Sequence, residues 1–212
     1  MVANHVDHAL GRVTALSDGI FAVAITLLVL SISVPDLGNS QTDANLQAHL
    51  REAIPSIFGF VISFAVVGIF WLSHHRLFQV VREYDRPTLY ANLLFLMTIC
   101  FIPFPAGVLA RYGELTTAVI FYAASTAFVG FTLALLWWVA IIRSAHRKAQ
   151  RRMGRYFGLR AAGTSIIFLI SIPVALINVD AARFVWLAIP AVLVIVSRIY
   201  GSEVRDEIRP SI

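Results

Sequence analysis

Apolar residues in this chain occur in long runs, and six of the runs are long enough to cross a bilayer as helices. About 20 apolar residues span the hydrocarbon core in helical form. The runs cover roughly residues 13–35, 54–73, 88–110, 116–142, 159–178 and 182–200. The pattern therefore predicts an all-α membrane protein of six spans, with residues 1–212 forming one domain.

Prolines and polar stretches predict how the spans end and bend. Pro103 and Pro105 predict a kink in the third span, and Pro190 predicts one in the sixth. Pro173 predicts a break near the end of the fifth span, which would form a tight hairpin with the sixth. Residues 37–53 are expected to form a polar loop outside the membrane.

The basic residues predict the orientation of the chain. Of the 17 Lys and Arg residues, all except Arg51, Arg111 and Arg183 fall in the two chain ends and in the second and fourth connections. Cytoplasmic connections are enriched in Lys and Arg, so we expect both termini in the cytoplasm and the protein in the cytoplasmic membrane. The basic connection at 143–158 is expected to contact anionic lipids, with a regulatory partner as the alternative.

Composition agrees with a membrane protein. The chain is 58% hydrophobic and 14% charged, whereas soluble domains are about 25% charged. Because the basic residues flank membrane spans, a nucleic-acid partner is not expected. The single cysteine, Cys100, excludes an intrachain disulfide.

The first span carries a carboxylate near its start and an apolar seam along its length. Asp18 follows Ser17 less than two turns after Arg12. The seam has spacings of four and three residues, typical of helices packed around a shared axis, and its members are Leu16, Ile20, Val23, Leu27, Leu30 and Val34. At about 100° per residue, Thr26 lies about 60° from Val23, and Asp18 about 140° from it. The seam either lines an ion path or packs against neighbouring helices as an ordinary apolar face.

A second group of polar residues is expected at the same membrane level as Asp18. The second span ends with Trp71, Ser73 and His74, and the third begins with Asn92. Their N–H and hydroxyl groups can satisfy a buried carboxylate, so Asp18, Ser17, Trp71, His74 and Asn92 are predicted to form one polar cluster. The cluster either orients the first helix, which we favour, or serves as a proton or ion site.

Enzymatic and metal chemistry are not expected. His74 and His75 are adjacent, so on a helix they point about 100° apart and do not share one ion easily. The sequence has no HExxH motif, no nucleotide-binding GxxxxGK[ST] motif and no set resembling a catalytic triad. No catalytic residue, cofactor or metal site is predicted.

Several motifs resemble those of the transmembrane protein 175 family of potassium channels, known in endolysosomes and in bacteria and archaea. The segment from Arg12 to Asp18 is similar to the family's Arg-x-x-x-Phe-Ser-Asp motif, with Leu16 in place of Phe. The resemblance continues through Trp71-x-x-His74-His75, the Asn92 segment and Phe101-Ile-Pro-Phe104.

The resemblance implies a homotetramer of six-span subunits with the first helix lining a central pore that conducts potassium. Val23, Leu27 and Leu30 match the family's apolar pore layers and Thr26 its pore-adjacent threonine; Arg12, Ser17 and Asp18 match its structural motif, with Trp71 and His74 as partners. The sequence lacks a TVGYG-like loop, so a carbonyl filter is not expected. The rival hypotheses are a proton-coupled or cation transporter using Asp18 and His74, and a membrane scaffold without transport.

Overall fold

The computed structural model describes residues 2–38, 41–80, 85–143 and 148–189, together with 191, 192, 194, 195 and 198. Within these residues the structure is helical and contains no β-strand, which confirms the all-α prediction. The helices in chain order are α1 (Val2–Leu27), α2 (Asp43–Glu52), α3 (Ile54–Val80), α4 (Arg86–Phe101), α5 (Pro103–Tyr112), α6 (Thr116–Arg143), α7 (Lys148–Ile177) and α8 (Val179–Val185). A 3₁₀ turn at Leu28–Ser31 continues α1.

Five helical stretches in the described part of the chain are long and apolar enough to cross a membrane. They are Leu10–Ser31, Ile54–Gln79, Arg86–Tyr112, Thr116–Ala140 and Gly158–Ile177. Each overlaps one of the first five predicted spans. The predicted sixth span, 182–200, lies partly outside the described residues, so the sixth crossing stays a prediction. The structure also does not describe Pro190, Arg82, Arg147, Arg205 and Arg209.

The prolines act differently in the third and fifth spans. The third span divides at Ile102 into α4 and α5, because Pro103 and Pro105 provide no backbone N–H to the helix. The predicted break at Pro173 is wrong: α7 continues past it and ends at Ile177. Membrane helices tolerate proline where neighbouring helices and side chains satisfy the freed backbone groups. The chain turns at Asn178, whose side chain caps α8 by accepting from the Ala181 amide at 2.9 Å.

The sequence predicts a polar loop over residues 37–53, but part of this segment is helical. It contains α2, which begins after Thr42, and the Thr42 side chain accepts from the Asn45 amide at 3.3 Å. This capping residue is a helix-start signal. It was overlooked because α2 has no buried residue and therefore no strong apolar stripe.

The centre of the bundle is α6, which packs along α7 and against α4 and α5. The approach of α6 to α7 is close at Gly130, where a Cβ atom would lie 1.9 Å from Ser165 Oγ and 3.2 Å from the Ala161 carbonyl oxygen. Only glycine fits there without a shift. On the other side of the bundle, α1 packs against α3 and α4, which places the first span at the edge of the subunit.

Candidate ion pathway and polar network

The first helix has one face that packs inside the subunit. The buried residues on this face recur every three or four positions and are Val13, Ser17, Phe21, Ala24 and Leu28. This spacing keeps them on one side of a helix with 3.6 residues per turn. They face α3 and α4 and anchor α1 to the rest of the bundle.

The other side of α1 is largely exposed in the subunit. Val23, Leu27 and Leu30 are 57%, 42% and 73% exposed. Thr26 is exposed beside them, whereas Ile20 is half-buried at the edge of the face. The predicted path residues Val23, Thr26, Leu27 and Leu30 therefore share one uncovered surface, which we call the open face of α1.

The 3₁₀ turn changes the register of the open face near its end. Residues Leu28–Ser31 advance by about 120° each, so Leu30 lies almost in line with Leu27 along the helix. In an unbroken α-helix the two side chains would differ by about 60° in direction. The turn thus stacks two large apolar side chains on one line.

The Thr26 hydroxyl is held by its own helix. Its oxygen lies 3.0 Å from the carbonyl oxygen of Ala22 and 2.8 Å from that of Val23, and it donates to these two acceptors. The single hydroxyl proton is therefore directed along the helix, which leaves lone pairs of the oxygen available on the open face.

The Asp18 carboxylate lies at the margin of the open face and is paired with α3. The Trp71 indole N–H donates to Asp18 Oδ1 at 2.9 Å. The His75 ring stacks on Trp71 with 5.3 Å between ring centroids, and its Nε2 lies 3.0 Å from Gln79 Nε2. Asp18 is exposed within the subunit, so the sequence-based expectation of a buried carboxylate is wrong for the single subunit.

The second part of the network is buried and connects three helices. Ser17 Oγ donates to the Val13 carbonyl at 2.8 Å, Asn92 Nδ2 donates to Ser17 Oγ at 3.3 Å, and His74 Nε2 lies 2.8 Å from Asn92 Oδ1. Because the Ser17 proton is directed to Val13, Ser17 must accept from the Asn92 amide. Asn92 then presents its carbonyl oxygen to His74, which requires the proton of the His74 ring on Nε2.

Aromatic rings enclose His74. Its ring lies 4.8 Å from Phe78, 5.5 Å from Phe95 and 5.6 Å from Phe21, measured between centroids. None of these three residues is among those predicted from the sequence. Phe21 follows Ser17 by four positions and so shares its helix face, a signal that was available in the sequence.

The predicted network residues therefore form two separate groups. Asp18 pairs with Trp71, and Ser17 connects through Asn92 to His74. Arg12 is exposed and makes no hydrogen bond or ion pair with a described residue. Each group ties one side of α1 to a neighbouring helix. Together they join α1 to both α3 and α4.

Other polar bonds join the remaining helices. Each pairs a side chain on one helix with a side chain on another or across a turn: Ser63–Tyr122, Ser73–Trp137, Thr98–Thr132 and Ser171–Trp186. In lipid such bonds help to hold helices together. In the part of the chain that the structure describes, no group of three His, Cys, Asp or Glu side chains lies close enough to hold a metal ion.

Comparisons with known proteins agree on one family. The family model described as "Endosomal/lysosomal potassium channel TMEM175" matches residues 12–103. A protein of Streptomyces collinus named as a potassium channel is 40% identical over 140 residues, which cover 64% of this chain and 66% of that one. The human protein named "Endosomal/lysosomal proton channel TMEM175" is 26% identical over 172 residues, 76% of this chain and 33% of its own length.

A solved structure resembles the whole subunit. It is described as a lysosomal potassium-selective channel TMEM175 homolog from Chamaesiphon minutus, and it is 29% identical with a TM-score of 0.76. The superposition covers 91% of this chain and 98% of that one. The curated relatives are matched over two thirds or less of their own length.

Proposed function

Because this chain belongs to the TMEM175 family, we propose that it is a membrane channel that conducts potassium along the open face of α1. The observation that carries the proposal is the apolar face left uncovered on a helix whose opposite face is anchored in the subunit. One helix cannot enclose a path, so several copies of α1 must meet around an axis. The relatives named as potassium channels support the choice of ion.

We propose that the assembly is a homotetramer, as the family resemblance implies. Small residues, Ala15, Gly19 and Ala22, lie exposed on the same side of α1 as the open face, and a Cβ at Gly19 would meet no atom within 4 Å. Small residues let membrane helices approach closely. In our proposal, the small residues pack against the neighbouring α1 while the large apolar residues face the axis.

The path has apolar constrictions in place of a carbonyl filter. In our proposal, rings of Val23, Leu27 and Leu30 exclude water when closed, and the channel opens when a small widening lets water enter. Thr26 adds oxygen lone pairs between these rings, which replace part of the hydration of a potassium ion. The channel then needs no cofactor other than the permeant ion.

The polar network has a structural role in this proposal. Asp18 and Ser17 fix the orientation of α1 about its own axis through their hydrogen bonds with Trp71 and Asn92. We also propose that the protein lies in the cytoplasmic membrane with both termini in the cytoplasm, because the basic residues concentrate on that side.

The experiment that tests the path is potassium flux through purified protein in liposomes. We expect Leu27→Ala to increase the flux about tenfold or more and to weaken discrimination against sodium, because a wider ring stays wet. The matched control is Leu169→Ala on α7, a leucine of similar exposure (53%) that lies far from α1 in sequence. Equal effects of the two substitutions, or no effect of either, would remove Leu27 from the path.

A second candidate is proton transport through Asp18 and His74, which the name of the human relative, a proton channel, favours. It requires these groups to exchange protons during transport. In that case Asp18→Asn abolishes flux driven by a pH gradient, whereas the potassium channel retains its flux in the same variant. Measuring both fluxes on one preparation separates the two functions.

A further inference from the structure

A cavity of about 460 Å³ lies at the end of the bundle opposite to the Asp18–Trp71 contact. It is formed by the start of α3, the end of α5, the turn that follows α5, and α8. Because α3 runs from this cavity to Trp71, at about 1.5 Å per residue the two sites are about 20 Å apart along the helix. The cavity is therefore separate from the polar network.

Four charged side chains line the cavity, two acidic and two basic. They are Glu52, Arg111, Glu114 and Arg183. Arg183 bonds to Asp180 through Nη2, while its Nη1 lies only 3.7 Å from where a Cβ of Gly113 would be placed on the cavity wall. Arg111, Glu52 and Glu114 make no ion pair with a described residue. A ligand with one negative and one positive group finds partners for both.

The rest of the wall is mostly apolar and leaves space for an acyl chain. Phe58, Ile62 and Leu109 line it, and Phe58 is 50% exposed. Gly59 also lines the cavity, and a Cβ there would meet no atom within 4 Å. The candidate spans Ile54–Gln79 and Arg86–Tyr112 begin and end here, so the cavity lies at the level where lipid headgroups meet acyl chains.

We propose that this cavity binds a zwitterionic phospholipid. The phosphate lies against Arg111 and Arg183, since arginine guanidinium groups bind phosphate oxygens through charge-assisted hydrogen bonds. The amine of the headgroup lies near Glu52 and Glu114, and an acyl chain follows the apolar wall past Phe58. This inference requires the membrane location but not ion conduction, so a failure of the proposed channel function would leave it intact.

The test uses the purified full chain in detergent with three probes: phosphatidylethanolamine, phosphatidylglycerol with the same acyl chains, and inorganic phosphate. Bound lipid is counted by native mass spectrometry, and the melting temperature is measured in parallel. The variants are Arg111→Gln, which removes one phosphate partner, and Gly59→Leu, which fills the cavity. The controls are Arg51→Gln and Gly68→Leu, since neither residue lines the cavity and a Cβ at Gly68 meets no atom within 4 Å.

We expect phosphatidylethanolamine to bind and to raise the melting temperature of the unmodified chain. Arg111→Gln should weaken this binding about tenfold, the effect of losing one charge-assisted hydrogen bond. Gly59→Leu should also weaken it, because the added side chain occupies the space of the acyl chain, and both controls should bind normally. Stronger binding of phosphatidylglycerol would overturn the zwitterionic assignment. An equal effect of inorganic phosphate would overturn the lipid and leave a soluble anion site. Loss of the oligomer in the cavity variants with unchanged lipid binding would make the cavity a subunit contact instead.

Discussion

Asn92 offers the sharpest test of what holds α1 in place. It is fully buried, and it joins Ser17 on α1 to His74 on α3. Asn92→Leu keeps the number of side-chain heavy atoms and the branch at Cγ but removes both bonds. The His74 Nε2–H then loses its acceptor inside an aromatic enclosure, whereas Ser17 keeps its bond to Val13.

The expected loss of stability follows from these two bonds. A buried donor left without a partner costs about 1–3 kcal/mol, and the lost bond to Ser17 adds about 0.5–1.5 kcal/mol. The sum is about 1.5–4.5 kcal/mol, and for a chain of this size we expect the melting temperature to fall by about 3–18 °C. Asp18→Ala removes one exposed bond, from Trp71, and should cost about 0.5–1.5 kcal/mol.

The assay is a thermal melt of the purified protein, followed by tryptophan fluorescence and by the fraction of intact oligomer. A double-mutant cycle with His74→Phe isolates the unpaired donor. Phenylalanine has no ring N–H and fits among the aromatic neighbours of His74, so Asn92→Leu should cost at least 1 kcal/mol less in that background. Additive effects of the two substitutions would refute the bond-based account, as would a loss for Asn92→Leu no larger than that for Asp18→Ala.

Three further predictions concern the path, the packing and the carboxylate. Thr26→Val should lower the preference for potassium over sodium with the oligomer intact, and the reversal potential under mixed gradients measures this; an unchanged potential would exclude a hydroxyl contact with the ion. Gly130→Ala should destabilise by about 1–3 kcal/mol because the added Cβ overlaps Ser165, whereas Gly158→Ala, whose Cβ meets no atom, should be neutral or stabilising in the same melts. Asp18→Ala should reduce stability more than it changes selectivity, and a stable variant with altered selectivity would place Asp18 in the ion path.

The apolar runs alone determined the helical membrane class and the approximate position of the first five spans. A membrane span satisfies its backbone hydrogen bonds within its own helix and needs enough consecutive apolar residues to cross the lipid. Both requirements act on one continuous stretch of sequence, so they can be recognised without knowing the fold. Spacing also grouped Val23 and Leu27 on one side of α1, but whether that side is open or packed was decided by the tertiary structure. Features that rest on a weak local signal were missed, such as α2 with its Thr42 cap.

The tertiary structure decided what depends on neighbours distant in the sequence. It split the predicted polar cluster into an exposed Asp18–Trp71 pair and a buried Ser17–Asn92–His74 chain, a division that depends on how α3 and α4 are rotated against α1. It let α7 continue past Pro173. It also assembled the charged cavity from segments that are well separated in the chain. Helix periodicity is a local property and is written in the sequence, whereas the partner of each polar side chain depends on how the helices pack.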